Sequence, residues 1–190
     1  MSRSISVLCA SVLLLAVGPT EGRGQGGEGV RRRVHVSVVT AAPQDVRTID
    51  GMIAAFYATI SGPKGAARDW ARDRTLYMRD ARFVAMAERD GNPVATIYTH
   101  QDYVDAVDSA MVADGFFDEE IGRRTQRFGN IAHVASAYAM RQAPNDKVIG
   151  RGVNHVQLYW DGMRWWITGV AWDAERAGNP IPKELVAGRG

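Results

Sequence analysis

Val153-Asn154-His155-Val156-Gln157-Leu158-Tyr159-Trp160, then Asp161-Gly162, then Met163-Arg164-Trp165-Trp166-Ile167-Thr168-Gly169-Val170-Ala171-Trp172-Asp173 is the run that decides the fold. β-Branched and aromatic residues alternate on both sides of an Asp-Gly pair. That pair supplies the two positive-φ positions of a type I′ turn, so the segment predicts a β-hairpin. With Trp160 opposite Met163, Leu158 meets Trp165, Val156 meets Ile167 and Asn154 meets Gly169 on one face. Tyr159, Arg164, Gln157, Trp166, His155 and Thr168 occupy the other. The first set is apolar and is expected to face a core; the second is mixed and is expected to face solvent or a partner subunit. Asn154 is the polar exception in the apolar row. Unpaired there it would cost about 1–3 kcal/mol, so it must bond either the protein or a ligand.

Upstream, a Gly129-Asn130 turn joins two long strands, 116–128 and 131–141, and pairs Phe128 with Ile131, Gln126 with His133 and Arg124 with Ala135. On the opposite face Thr125 meets Val134 and Ile121 meets Tyr138. The bulky set Ile121, Val134, Tyr138 and Met140 reads as core, which leaves His133 outside; a single bulge would reverse that assignment. Ala135, Ala137 and Ala139 form a column with room for a ligand or a closely packed neighbour. Before these strands come helical periods. Val46, Ile49, Ile53, Phe56 and Ile60 predict one amphipathic helix from residue 45 to the Ser61-Gly62-Pro63 stop. A shorter helix over 66–77 would bury Trp70 and Tyr77 and expose Arg68, Asp69, Arg72 and Asp73. Residues 82–88 read as a strand, 90–93 as a turn and 94–98 as an extended piece. Thr99 caps a helix through residue 114 with Tyr103, Val107, Ala110 and Met111 inward, and Gly115 ends it. The order is helices first, then a curved antiparallel meander.

Arg3 followed by the apolar run 5–17, too short to span a bilayer, reads as a secretory signal peptide with cleavage after Gly22. Periplasmic or extracellular residence is therefore expected. The chain's one cysteine, Cys9, lies in that run, so no disulfide, thiolate nucleophile or cysteine ligand is expected in the exported protein. About 165 residues remain, enough for one domain with a real core. Residues 23–42, rich in Gly and Arg, read as a flexible leader; 43–186 are the domain and 187–190 a tail. Formal net charge is +2, with no basic stripe of the kind nucleic acid requires. The four histidines, His35, His100, His133 and His155, stand on separate elements without paired short spacing, so no metal site is expected. No phosphate-binding glycine loop and no G-x-S-x-G elbow occurs, and no cofactor is expected.

Tyr57-Ala58-Thr59-Ile60-Ser61-Gly62-Pro63, Arg68-Asp69-Trp70, Gly115-Phe116-Phe117, the run 123–134 and the hairpin 157–173, in this order of elements, resemble the nuclear transport factor 2-like superfamily. That superfamily includes ketosteroid isomerase, scytalone dehydratase and the SnoaL-like polyketide cyclases. The resemblance spans residues 45–185 and is nearest to an exported bacterial subgroup to which no activity is attached. It implies an α+β fold: a curved antiparallel β-sheet wrapped around N-terminal helices, forming a cone with an internal pocket. It also implies dimers through the outer sheet face, here His155, Gln157, Tyr159 and Trp166.

Residues expected to reach a ligand in the cone are Tyr57, Trp70, Tyr138, Asn154 and Trp165. Enzymes of this superfamily move protons with a carboxylate or histidine inside the cone, beside a tyrosine or protonated acid. Candidates of these types are Asp50, Tyr57, His133 and Asp173, against ordinary readings as a solvated helix acid for Asp50, a surface histidine for His133 and a turn-bonding acid for Asp173. Three functions stand open: a binding protein for a small, largely apolar molecule, a cofactor-independent isomerase, dehydratase or cyclase, and a dimeric interaction module. A buried acid with a raised pKa beside Tyr57 or Tyr138 would favour the enzyme.

Overall fold

A computed structural model describes residues 33–186. The signal-peptide reading of 1–22, the leader up to residue 32 and the tail 187–190 lie outside the described residues. The remainder of the leader is not free chain. Val34 N–H donates to Asp105 Oδ1 (2.8 Å), Gln101 Nε2 donates to Val34 O (2.9 Å), and Val34 and Val36 pack on the core.

The expected first helix is two: α1 (Pro43–Val46) and α2 (Ile49–Ile60). Thr48 is extended (φ −130°, ψ 156°) and its hydroxyl accepts the Gly51 N–H, an N-cap worth about 1 kcal/mol that restarts the helix. The second helix shrinks to α3 (Trp70–Arg74), capped by Asp69, because Tyr77 already belongs to β1 (Tyr77–Arg89). Arg68 and Asp73, expected at the surface, are buried. Asp90 and Gly91, both at positive φ, turn β1 into β2 (Asn92–Tyr98). Thr99 and Asp102 form a capping box that opens α4 (His100–Asp114). Gly115, at φ 77°, ends it. Then follow β3 (Phe117–Phe128), β4 (Ile131–Arg141), β5 (Gly150–Trp160), β6 (Trp165–Ala174) and α5 (Lys183–Val186).

The six strands form one curved sheet in the order β2-β1-β6-β5-β4-β3. β3 to β6 are the expected antiparallel meander, but β1 joins β6 in parallel, so the sheet is mixed. Met52, Ile53 and Phe56 of α2 pack on Val134, Val156, Leu158, Trp165 and Ile167 from the concave side. Ile60, Trp70, Val104, Val107 and Met111 join α2, α3 and α4 in a second cluster.

Two register shifts decide which side chains face inward. The Asp-Gly turn is a four-residue loop: Asp161 accepts from the N–H groups of Met163 and Arg164 (both 2.8 Å), so Trp160 pairs with Trp165. A slip of two residues leaves the alternation intact, and Trp165 and Ile167 stay buried. A bulge at Thr168 then turns Val170 and Trp172, rather than Gly169, onto the face of Val156 and Asn154. The second bulge is at Ile121, between the pairs Glu120↔Tyr138 and Gly122↔Ala137. Ile121 therefore leaves the predicted core and packs outside, with Ala135, Ala137 and Val153, against Ile181 and Leu185. The alanine column thus receives the C-terminal helix. A Cβ at Gly122 would collide with the Leu185 carbonyl, so only glycine admits α5 there.

Candidate functional site

The Ile121 bulge has a second effect. Counted back from the β3–β4 turn without it, Asp118 and Glu120 share the outer face with Gln126 and Arg124; with it, they point into the cone opposite Met140 and Tyr138. Asp118 is held there from α2. Gly62 and Phe116 exchange backbone hydrogen bonds (2.7 and 3.0 Å), Asp118 N–H donates to Ser61 Oγ (3.0 Å), and Ser61 Oγ donates to Tyr57 O (2.8 Å).

The cone contains a cavity of about 200 Å³. Its walls are aromatic and aliphatic, with Phe83 stacked on Tyr103 (5.2 Å, 11°) and Trp172 edge-on to Tyr103 (5.9 Å). Exposed Glu88 and Arg89 lie at its mouth. Besides Thr96 and the tyrosines, Tyr138 among them, the polar residues of its lining away from Glu88 and Arg89 are Asp118 and Asn154. Asp118 Oδ1 is buried and has no hydrogen-bond partner among the described residues. Burial raises the Asp118 carboxyl well above the ordinary aspartate range, and the Glu119 N–H only partly opposes it. Tyr57, Tyr103 and Tyr138 are likewise raised, first by burial and then by the nearby carboxylates, so they remain hydroxyl donors. The site is a buried acid and tyrosine hydroxyls in an oily pocket.

Behind Asn154 runs a buried polar chain: Asn154 Nδ2 to Tyr57 OH (3.2 Å), Tyr57 OH to Ser136 Oγ (2.7 Å), and Ser136 Oγ to Glu120 Oε1 (2.6 Å). Glu120 also faces Arg123 (3.4 Å). A carboxylate–histidine pair is present too, behind the Tyr77 and Phe83 rings. His100 Nε2 lies 2.7 Å from Asp73 Oδ2, while Thr59 Oγ1 (2.9 Å) and Tyr77 OH (3.4 Å) donate to Asp73 Oδ1. This pair joins α2, α3, β1 and α4 and does not line the cavity.

Of the residues singled out from sequence, Tyr138 and Asn154 line the cavity, and Tyr57 stands one hydrogen bond behind Asn154. Trp70 and Trp165 do not reach it. Trp70 donates to Asp108 (2.6 Å) in the helix cluster, and Trp165 packs against Trp160 beneath Arg127. Asp50 is exposed on α2 and pairs with Arg123 (3.1 Å). Asp173 binds Arg176 (2.6 Å) and Asn179 (3.4 Å), the turn-bonding role. His133 lies on the outer face with its Nε2 2.8 Å from His155 Nδ1; burial and that neighbour lower its pKa. It is no base for the cone. The two histidines nevertheless meet across adjacent strands, a closeness their sequence separation conceals. Among the described residues no group of three or more His, Cys, Asp or Glu is arranged to hold a metal, and no helix is long and apolar enough to cross a membrane. Asp118 was missed because only the bulge turns it inward; a run of three acids, Asp118-Glu119-Glu120, set between Phe117 and Ile121 was the available signal.

The fold is an α+β cone of the cystatin-like type. A protein of unknown function with a cystatin-like fold from Nostoc punctiforme superposes with a TM-score of 0.53 at 12% identity, over 68% of this chain and 90% of that one. A protein of unknown function from Mycobacterium tuberculosis gives 0.49 at 16% identity (73% and 80%). An NTF2-like protein of unknown function from Silicibacter pomeroyi gives 0.44 at 14% (67% and 99%). At 12% identity the likeness to the Nostoc protein shows the fold alone. No protein-family model and no curated protein matches the sequence.

Proposed function

We propose that the cone binds a small, neutral ring compound bearing an oxygen, and that Asp118, held as a carboxylic acid, donates a hydrogen bond to that oxygen. The observation carrying this reading is the unpartnered, buried Asp118 Oδ1 in an apolar cavity. Leaving a polar atom so placed costs about 1–3 kcal/mol, which a ligand oxygen would offset. An apolar cavity of about 150 Å³ accommodates benzene, so this one suits a substituted single ring or two small fused rings. A second reading, proton-transfer catalysis of the isomerase, dehydratase or cyclase kind, is favoured by the raised Asp118 pKa beside Tyr138.

1-Tetralone separates the two. Its binding is measured by calorimetry and its exchange of α-protons in D₂O by NMR. Binding is expected in the wild type and lost in Ala106→Phe, which fills the cavity from α4. Exchange that disappears in Asp118→Asn establishes catalysis; binding without exchange leaves a binding protein. Equal affinity in Ala106→Phe would place the ligand elsewhere and end this reading.

The run 5–17 supports export to the periplasm or beyond, which the intact mass of the mature chain tests. Homodimerisation through the outer face is supported by the row Phe128, Ile131, Tyr159 and Trp166, in which Phe128 is 84% and Ile131 59% exposed. A wild type that sediments as a monomer would remove that proposal.

A further inference from the structure

The polar chain behind the cavity has a direction. A carboxylate only accepts hydrogen bonds, so Ser136 Oγ donates its single proton to Glu120. Ser136 must then accept from Tyr57 OH, whose one proton is thereby used. Tyr57 can only accept from the next group, so the Asn154 atom facing it is Nδ2. The amide is planar, and its Oδ1 therefore takes the opposite position. Asn154 is buried and lines the cavity, and the hydrogen bond its side chain makes among the described residues is the Nδ2 one to Tyr57. Glu120, on β3, in this way fixes the orientation of an amide on β5 that it does not touch.

We propose that Asn154 is a specificity-determining residue: its Oδ1 is a fixed acceptor in the cavity that the Asp118 donor also lines, and the site selects hydroxy-ketones over plain ketones. This inference rests on the ligand reading above and adds the substrate class. The ketone oxygen accepts from Asp118, and the hydroxyl donates to Asn154 Oδ1. An analogue with only the carbonyl leaves the amide oxygen unpaired; a methoxy analogue presents an acceptor to an acceptor. Both are disfavoured. Tyr57, Ser136 and Glu120 are positioning residues. Burial of Ser136 and Tyr57 keeps water from re-pairing the links and reversing the chain.

The test measures dissociation constants for 1-tetralone, its 5-, 6- and 7-hydroxy derivatives and the three matching methoxy compounds. In the wild type at least one hydroxy isomer is expected to bind about tenfold or more tightly than both 1-tetralone and its methoxy counterpart. In Glu120→Gln the side-chain amide can donate to Ser136, the chain can run either way, and the preference falls toward unity. Ser136→Ala cuts the chain while leaving Glu120 opposite Arg123, and should give the same collapse. Binding of 1-tetralone with no hydroxy preference overturns this inference and spares the ligand reading. A preference that survives in both variants overturns control by the chain. Failure of all seven compounds to bind overturns the ligand reading and this inference with it.

Discussion

Asp118→Asn keeps the shape of the side chain and an acceptor for the Glu119 N–H while removing the titrating group. In the folded wild type, burial raises the carboxyl pKa; in the unfolded chain it returns to the ordinary value near 3.8. Between those two values the folded state holds one more proton than the unfolded state, so stability falls as pH rises. The contribution is fully present below the unfolded pKa and is lost as pH climbs through the raised folded one. The slope per proton is about 1.4 kcal/mol per pH unit. Over that interval the wild type should therefore lose stability relative to Asp118→Asn at this slope. For a domain of this size that is about 3–6 °C in Tm per pH unit. The groups around the carboxyl, Tyr57, Tyr103 and Tyr138, stay protonated in this window, so the difference isolates Asp118. Thermal melts of both proteins across the window provide the assay. Parallel Tm curves would refute the raised pKa and remove the neutral acid from the site. The expected gain in stability on losing a ligand-binding group is the trade that functional positions show.

Two further outcomes follow from the packing. His100→Ala leaves the buried Asp73 without its closest partner and should cost about 3–5 kcal/mol, read by urea denaturation; a loss below about 1 kcal/mol would mean that the pair does not hold α3 to α4. Trp165→Ala opens a cavity in the main core and should cost about 3–5 kcal/mol. Trp166→Ala loses its contact with Arg164 and its bond to Asp161 at the outer surface, should cost far less than Trp165→Ala, and should chiefly change assembly. Equal losses would contradict the assignment of faces in the hairpin.

How much was legible in the chain differs between elements for a physical reason. Alternation and helical periods depend on neighbours a few residues apart, and these determined the β5–β6 and β3–β4 hairpins, α4 with its Thr99 and Gly115 ends, and the burial of Trp165 against Trp166. The four-residue loop at Asp161 did no harm, since an even slip conserves facing. Asn154 could be recognised as a buried polar group needing a partner, but not that Tyr57, far away in sequence, would be that partner. An odd slip is different. The bulges at Ile121 and Thr168 invert every residue beyond them, and they turn Asp118, Glu120 and Trp172 inward. Nothing local in β3 demands that bulge; it goes with the contacts that Gly122 makes with α5 and Ser61 makes with Asp118. The parallel pairing of β1 with β6 and the meeting of Asp73 with His100 are likewise contacts between distant segments. Sequence by itself determined the elements, most of their faces and the α+β class. Tertiary structure alone decided which acid faces the cavity, because an acid's facing beyond a bulge is set by long-range packing rather than by its own neighbours.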